Sequence, residues 1–202
     1  MRKIRIIEHI SLDGVIQSPG GRNEDGDDYP HGGWAAPYRS AAGREAVAEA
    51  QGSSFDLLLG RRTYDIFARY WPNAEKGPIA DGLNAATKYV ATHRPASLGW
   101  GPVEDLGADI IEGVRGVKSK DGPDLIVWGS STLTRALLEQ GLVDEVVLFV
   151  YPVLLGRGKR FFEDSADARE LALVNTKVVS SSLLINTYRY VGSLRTEAVA
   201  DA

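Results

Sequence analysis

The sequence predicts an α/β fold with a mostly parallel central sheet, flanking helices and a closing antiparallel hairpin. Two observations carry this expectation. Short runs of β-forming residues repeatedly end in a glycine that opens a helix-like pattern, as in Leu125-Ile-Val-Trp128 before Gly129-Ser130-Ser131 and Phe55-Asp-Leu-Leu-Leu59 before Gly60-Arg61-Arg62-Thr63. The last two β-like segments, 171–178 and 183–191, are instead separated by a serine turn and read as a hairpin.

The chain of 202 residues, 44% hydrophobic and 25% charged, is long enough to bury one sizeable core. No linker or repeat divides it, so one domain over 1–192 with a frayed tail over 193–202 is expected. A formal charge of −4 disfavours a nucleic-acid partner. Zero cysteines exclude disulfides and thiolate metal sites and fit a cytoplasmic location. No apolar run approaches the roughly 20 residues of a membrane span. The opening Met1-Arg-Lys-Ile-Arg alternates charge and isoleucine, the pattern of a strand rather than a signal peptide.

Taken in order, Ile4, Ile6, Ile7, Ile10 and Leu12 form a β-branched first strand ending at the Asp13-Gly14 turn. The polar stretch 17–37 is long enough for a lid or binding loop. Its Asp25, Asp27, Asp28 and His31 lack the spacing of a calcium loop and read as a solvated acidic loop. Residues 40–51 form an alanine-rich helix with Ala46, Val47 and Ala50 on one face and Glu45 and Glu49 sharing another. Thr63 is a candidate N-cap of the next helix, whose stripe is Tyr64, Phe67 and Tyr70. Arg61 and Arg62 sit at that helix start, where the macrodipole disfavours cations; an anionic partner explains them best.

A short helix is expected over 79–86, then a strand, Lys88 to Thr92, ending at His93 and Arg94. A further helix follows over 110–118. Beyond Gly129, serines and free helix N–H groups make a natural anion site. Leu133, Leu137 and Leu138 line a helix closed by Gly141, and Val143 to Val150 is a long strand. The loop Leu155-Gly-Arg-Gly-Lys159 is not a Walker-type phosphate loop.

Ser11-Leu-Asp-Gly14, Leu59-Gly-Arg-Arg-Thr-Tyr64, Ala91-Thr-His-Arg94, Val127-Trp-Gly-Ser-Ser-Thr-Leu133 and Leu142-Val-Asp-Glu145 with Pro152 to Lys159 occur in an order that resembles the dihydrofolate-reductase-like superfamily. Within it, the chain looks like the reductase domain of the bifunctional riboflavin-biosynthesis deaminase-reductase and its stand-alone relatives, over roughly residues 2–191. The resemblance implies a three-layer fold, NADPH as cofactor and a homodimer. Gly60, Arg61, Arg62 and Thr63 match the Gly-Arg-x-Thr motif that meets the cofactor's phosphates. Thr92 and Arg94 match the strand end at the adenosine 2′-phosphate, and Gly129, Ser130, Ser131, Thr132 and Leu133 the turn under the pyrophosphate. Leu12, Asp13 and Gly14 would line the cleft near the nicotinamide.

Two departures point away from folate: Leu12-Asp13-Gly14 replaces a Leu-Pro-Trp segment, and Ser130 follows Gly129 where folate reductases carry a second glycine. Asp13 is one candidate proton donor, and Glu45, nearest in spacing to the folate enzymes' helical acid, is the other. No zinc-deaminase signature is present. The implied activity is hydride transfer from NADPH to a small pteridine- or pyrimidine-like heterocycle or its ribosylamino derivative. The alternative is a dinucleotide-binding protein of the same fold without catalysis.

Overall fold

The computed structural model describes residues 1–26, 28–162, 167–180 and 183–196. Strand β1 (Ile4–Ser11) is followed by the long loop and by α1 (Ala41–Gln51). Then come β2 (Phe55–Gly60), α2 (Arg61–Tyr70), α3 (Pro78–Ala85), β3 (Lys88–Ala91) and β4 (Val103–Asp105). The chain continues through α4 (Ile110–Ser119), β5 (Asp124–Trp128), α5 (Ser131–Glu139) and β6 (Glu145–Tyr151). It closes with β7 (Arg169–Ser180) and β8 (Leu183–Ser193).

The eight strands make one sheet in the order β4-β3-β2-β5-β1-β6-β8-β7. Every pairing from β4 to β6 is parallel, while β8 runs antiparallel to both β6 and β7. Central parallel strands are covered on both faces and so read as continuous apolar runs. In β1, Ile4, Ile6 and Ile7 are completely buried, each contributing about 1.5–3 kcal/mol by leaving water. Ile7 points to a core with Ala46 of α1, Tyr64 of α2 and Leu83 of α3. Ile4 and Ile6 point to the opposite core, built with Val114 and Val117 of α4 and Leu133 and Leu137 of α5. Helices on both faces of one sheet give the three expected layers.

Helix starts follow local chemistry where a capping residue is free to act. The Ser40 hydroxyl accepts the Gly43 N–H at 3.0 Å to start α1, and Asp109 caps α4 through the Glu112 N–H at 3.1 Å. Helix α5 ends as expected, with Gly141 at φ +61°.

Several expectations need correction. Thr63 is not an N-cap: α2 begins at Arg61 directly from the strand, with Gly60 in the cap position. Tyr70 stands outside the apolar stripe, 61% exposed. The first strand stops at Ser11, leaving Leu12 62% exposed. Strand β4, three residues at the sheet edge, had no counterpart in the sequence reading. The serine turn at 181–182, Asp27 and the tail beyond residue 196 lie outside the described residues. Among the described residues, no helix is long and apolar enough to cross a membrane, and no acidic or imidazole cluster is arranged to hold a metal.

Candidate active site

A cleft of about 2170 Å³ opens along the C-terminal ends of the parallel strands, where open α/β sheets bind ligands. Sheet order explains its position. Strand β1 pairs with β5 only as far as Ile7 opposite Trp128, yet with β6 it pairs on to Ser11 opposite Tyr151. Past Ile7, β1 therefore has no strand neighbour on its β5 side, and a notch opens between Glu8 and the Gly129 turn.

One wall consists of two helix N-termini fastened together. Gly129 and Ser130 both take positive φ, at +53° and +56°. This backbone brings the Ser130 N–H to Thr63 Oγ1 at 3.0 Å, while the Gly60 N–H donates to Ser130 Oγ at 2.9 Å. Both hydroxyls are thereby engaged across the junction, and neither α2 nor α5 has a side-chain cap. The first-turn N–H groups of both helices are left to an outside acceptor. A Cβ at Gly129 would lie 3.1 Å from Thr63 Oγ1, so the junction is closely packed.

The arginines divide between two tasks. Arg61 Nε pairs with Asp65 at 2.8 Å, and its Nη1 donates to the Arg94 carbonyl at 2.9 Å and to Thr92 Oγ1 at 3.4 Å. Arg61, Thr92 and Arg94 thus meet at the end of β3, with the Arg94 side chain exposed at the cleft rim. Arg62 turns to the long loop instead, where Asp25 accepts from it at 3.2 Å and from Lys159 at 3.3 Å. Asp25 is 11% exposed, so this residue is an anchor and not a solvated acid. The same loop is held by Trp34, whose Nε1 donates to the Gln17 carbonyl at 2.8 Å and whose ring meets Tyr151 edge-on at 5.4 Å.

The opposite wall is aromatic. His9 lies 5.5 Å from Trp128, 5.3 Å from Phe149 and 5.6 Å from Tyr151, between ring centroids. Its Nδ1 lies 2.9 Å from the Tyr151 hydroxyl. Burial, reinforced by the Arg39 charge, lowers the His9 pKa to about 4, so the ring is neutral at pH 7. Burial raises Tyr151 to about 12. The pair acts as a neutral hydrogen-bonding wall against which a flat ring can stack.

Most of the sequence-predicted residues come together here: Gly60, Arg61, Arg62, Thr63, Thr92, Arg94, Gly129, Ser130, Ser131, Thr132, Leu133 and Glu45 all line the cleft. Glu45 stands at its exposed rim on α1. Leu12, Asp13 and Gly14 do not line it. The Asp13 carboxylate accepts from Ser11 Oγ at 2.6 Å, from the Leu155 N–H at 3.1 Å and from the Gly156 N–H at 2.7 Å. These bonds, the Ser11 one foremost, lower its pKa to about 2. Asp13 joins the β1 turn to the 152–160 loop and is withdrawn as a proton donor.

The sequence reading passed over Glu8 and His9. A charged residue followed by histidine inside an isoleucine-rich central strand was the available signal. Among the described residues, five buried side-chain polar atoms lack a hydrogen-bond partner. Four of them, Glu8 Oε2, Ser18 Oγ, Gln51 Nε2 and Trp128 Nε1, belong to residues lining this cleft. Buried polar groups are rarely left unpaired, so the cleft is equipped for a polar ligand.

Comparison with known proteins gives the same architecture. The chain is 29% identical over 140 residues to the uncharacterized protein YyaP of Bacillus subtilis, covering 67% of this chain and 74% of that one. Its fold is similar to a pyrimidine reductase-like protein from Corynebacterium diphtheriae, with a TM-score of 0.65, 14% identity and coverage of 94% of this chain and 92% of the other. It is also similar to dihydrofolate reductase from Enterococcus faecalis complexed with NADP(H), with a TM-score of 0.59, 16% identity and coverage of 93% and 96%. At these identities the two structures establish the fold. A family model matches residues 2–185, and the chain belongs to the RibD C-terminal domain family.

Proposed function

We propose that this protein is an NADPH-dependent reductase acting on a small, flat heterocycle of the pteridine or pyrimidine kind, or its ribosylamino derivative. The observation that carries the reading is the pair of uncapped helix N-termini fastened at Gly129–Ser130 and Gly60–Thr63 beside Arg61 and Arg94. A dinucleotide's pyrophosphate suits that junction, because two sets of free N–H groups and two positive helix ends face one place. Gly129 to Leu133 would hold it, and Arg61, Thr92 and Arg94 would receive the 2′-phosphate. When bound, the cofactor supplies a hydride from its nicotinamide ring. The His9–Trp128–Tyr151 wall would hold the acceptor ring flat, and the long loop would exclude water.

Membership of the family supports the reductase class, and the cleft's size leaves room for two ligands together. A charge-assisted hydrogen bond contributes on the order of 1.5–3 kcal/mol, so two arginine contacts to the 2′-phosphate amount to a preference of roughly a hundredfold. Titrations of NADPH and NADH followed by Trp128 fluorescence test this. NADPH is expected to bind about a hundredfold tighter, and Arg94→Ala to remove about tenfold of that preference. Equal affinities would refute the arginine contacts, and no binding of either nucleotide at millimolar concentration would remove the reductase reading.

A further inference from the structure

We propose that Glu8 is a ligand-binding residue of this cleft, presenting its Oε2 as a hydroxyl donor to a carbonyl oxygen or unprotonated ring nitrogen of the bound heterocycle. The proposal rests on the functional reading above only in taking a flat heterocycle as the occupant.

Position comes first. Glu8 is the first β1 residue beyond the last rung shared with β5, so it stands at the floor of the notch. It is 3% exposed, and its side chain lines the cleft together with Gly129 and Ser18. Glu8 Oε1 accepts the His9 N–H at 3.2 Å, while Oε2 makes no hydrogen bond. No cation pairs with this carboxyl among the described residues.

Chemistry then decides the protonation state. An unpaired buried carboxylate is costly, and such groups take up a proton instead. Burial pushes the Glu8 pKa well above the ordinary carboxylate value, and the neighbouring charge of Glu24 adds to the effect. The His9 amide, which Oε1 accepts, and the nearby Gly129 amide, which forms no hydrogen bond to Oε2 by distance and angle, act the other way and are outweighed. In the neutral acid the oxygen that accepts the His9 N–H is the carbonyl, which leaves the proton on Oε2. That O–H has no acceptor in the described protein, and it belongs to a residue that lines the cleft.

The neighbourhood agrees. Ser18, on the long loop, is 5% exposed with its own Oγ unpaired, and it takes φ +48°, a strained conformation for a residue with a Cβ. Two unpaired polar residues, one from β1 and one from the loop, therefore line the same cleft.

The test uses the full chain and the variants Glu8→Gln and Glu8→Leu, with pterin and lumazine as probes. Infrared difference spectra of the free protein against Glu8→Gln, at neutral pH in light and heavy water, should show the C=O stretch of one protonated carboxylic acid. Saturation with either probe should shift that band. In equilibrium dialysis Glu8→Gln, which keeps an N–H donor, should bind within a few-fold of the parent, and Glu8→Leu should lose about tenfold or more. Absence of the band overturns the proposal, as does equal probe affinity of Glu8→Leu and the parent. A cleft that shows the band but binds neither probe makes Glu8 a structural acid and overturns it too. NADPH binding is scored separately: its failure with Glu8-dependent probe binding intact removes the reductase reading alone.

Discussion

Gly129→Ala tests the fastened helix junction most directly. Alanine at φ +53° costs roughly 1–2 kcal/mol, because a Cβ in the left-handed region crowds the following carbonyl. The new methyl would also sit 3.1 Å from Thr63 Oγ1 and 3.5 Å from Thr63 Cγ2. Relief by moving Thr63 breaks the bond that its hydroxyl accepts from the Ser130 N–H, another 0.5–1.5 kcal/mol or so. The sum, about 1.5–3.5 kcal/mol, corresponds to a melting temperature lower by roughly 3–14 °C in a protein of this size. NADPH affinity, read by fluorescence titration, should fall at least about tenfold, because the amides proposed to hold the pyrophosphate move with the turn. Thr63→Ser keeps the hydroxyl and removes the Cγ2 contact, so combined with Gly129→Ala it should recover part of the loss, a coupling of about 0.5 kcal/mol or more. A Gly129→Ala protein that melts and binds NADPH like its parent would refute this account of the junction.

Two further outcomes are expected. His9 remains neutral in the fold down to about pH 4, whereas in the unfolded chain it takes a proton below its ordinary 6.5, so its contribution to stability is lost as pH falls from 6.5 towards 4. The gap of about 2.5 units is worth roughly 3 kcal/mol at 1.36 kcal/mol per unit, and the ring's opening to the cleft reduces this to about 1–2 kcal/mol; denaturant unfolding should show that excess loss between pH 7 and 4.5 relative to His9→Gln, and parallel pH curves for the two proteins would contradict it. The expected homodimer has a candidate surface in edge strand β7, where Leu173, Val174 and Val178 are 60%, 59% and 72% exposed. Light scattering at micromolar concentration should give twice the chain mass, lowered by Val178→Lys, and a monomeric mass would refute it.

Local signals carried most of the fold. Glycine after a run of β-formers marked the junctions at Gly60 and Gly129; only at Gly129, with φ +53°, does the backbone need freedom that few other residues have. Ser40 was readable as the start of a helix because its partner, Gly43, is three residues away. Thr63 and Asp13 depart from the expectation for the opposite reason. The Thr63 hydroxyl is taken by the Ser130 amide, 67 residues on, and the Asp13 carboxylate by amides at 155 and 156, more than 140 residues on. Residue type announces the capacity for a bond, and only the packed sheet selects the partner. Strand β4 is three residues held at an edge by β3, too short to carry a period.

Glu8 and His9 show how much depends on sheet order. In a strand with one solvated face, Glu8 would be an ordinary outward residue. Placing β1 between β5 and β6, in the middle of the sheet, puts helices over both its faces, and successive side chains then enter opposite layers: Ile7 and His9 towards α1, Ile6 and Ile10 towards α5. Because pairing with β5 stops at Ile7, four residues before pairing with β6 ends at Ser11, the adjacent pair at 8 and 9 reaches the cleft from the two sides of the sheet. Burial acts on both groups towards the neutral form, raising the pKa of the carboxyl and lowering that of the imidazole to about 4. A one-residue slip of β1 would exchange them and place an acid against the Trp128–Tyr151 wall. The isoleucines at 4, 6, 7 and 10 forbid that slip, since they must keep filling the two cores. The apolar pattern of β1 is therefore what positions the polar pair at its end.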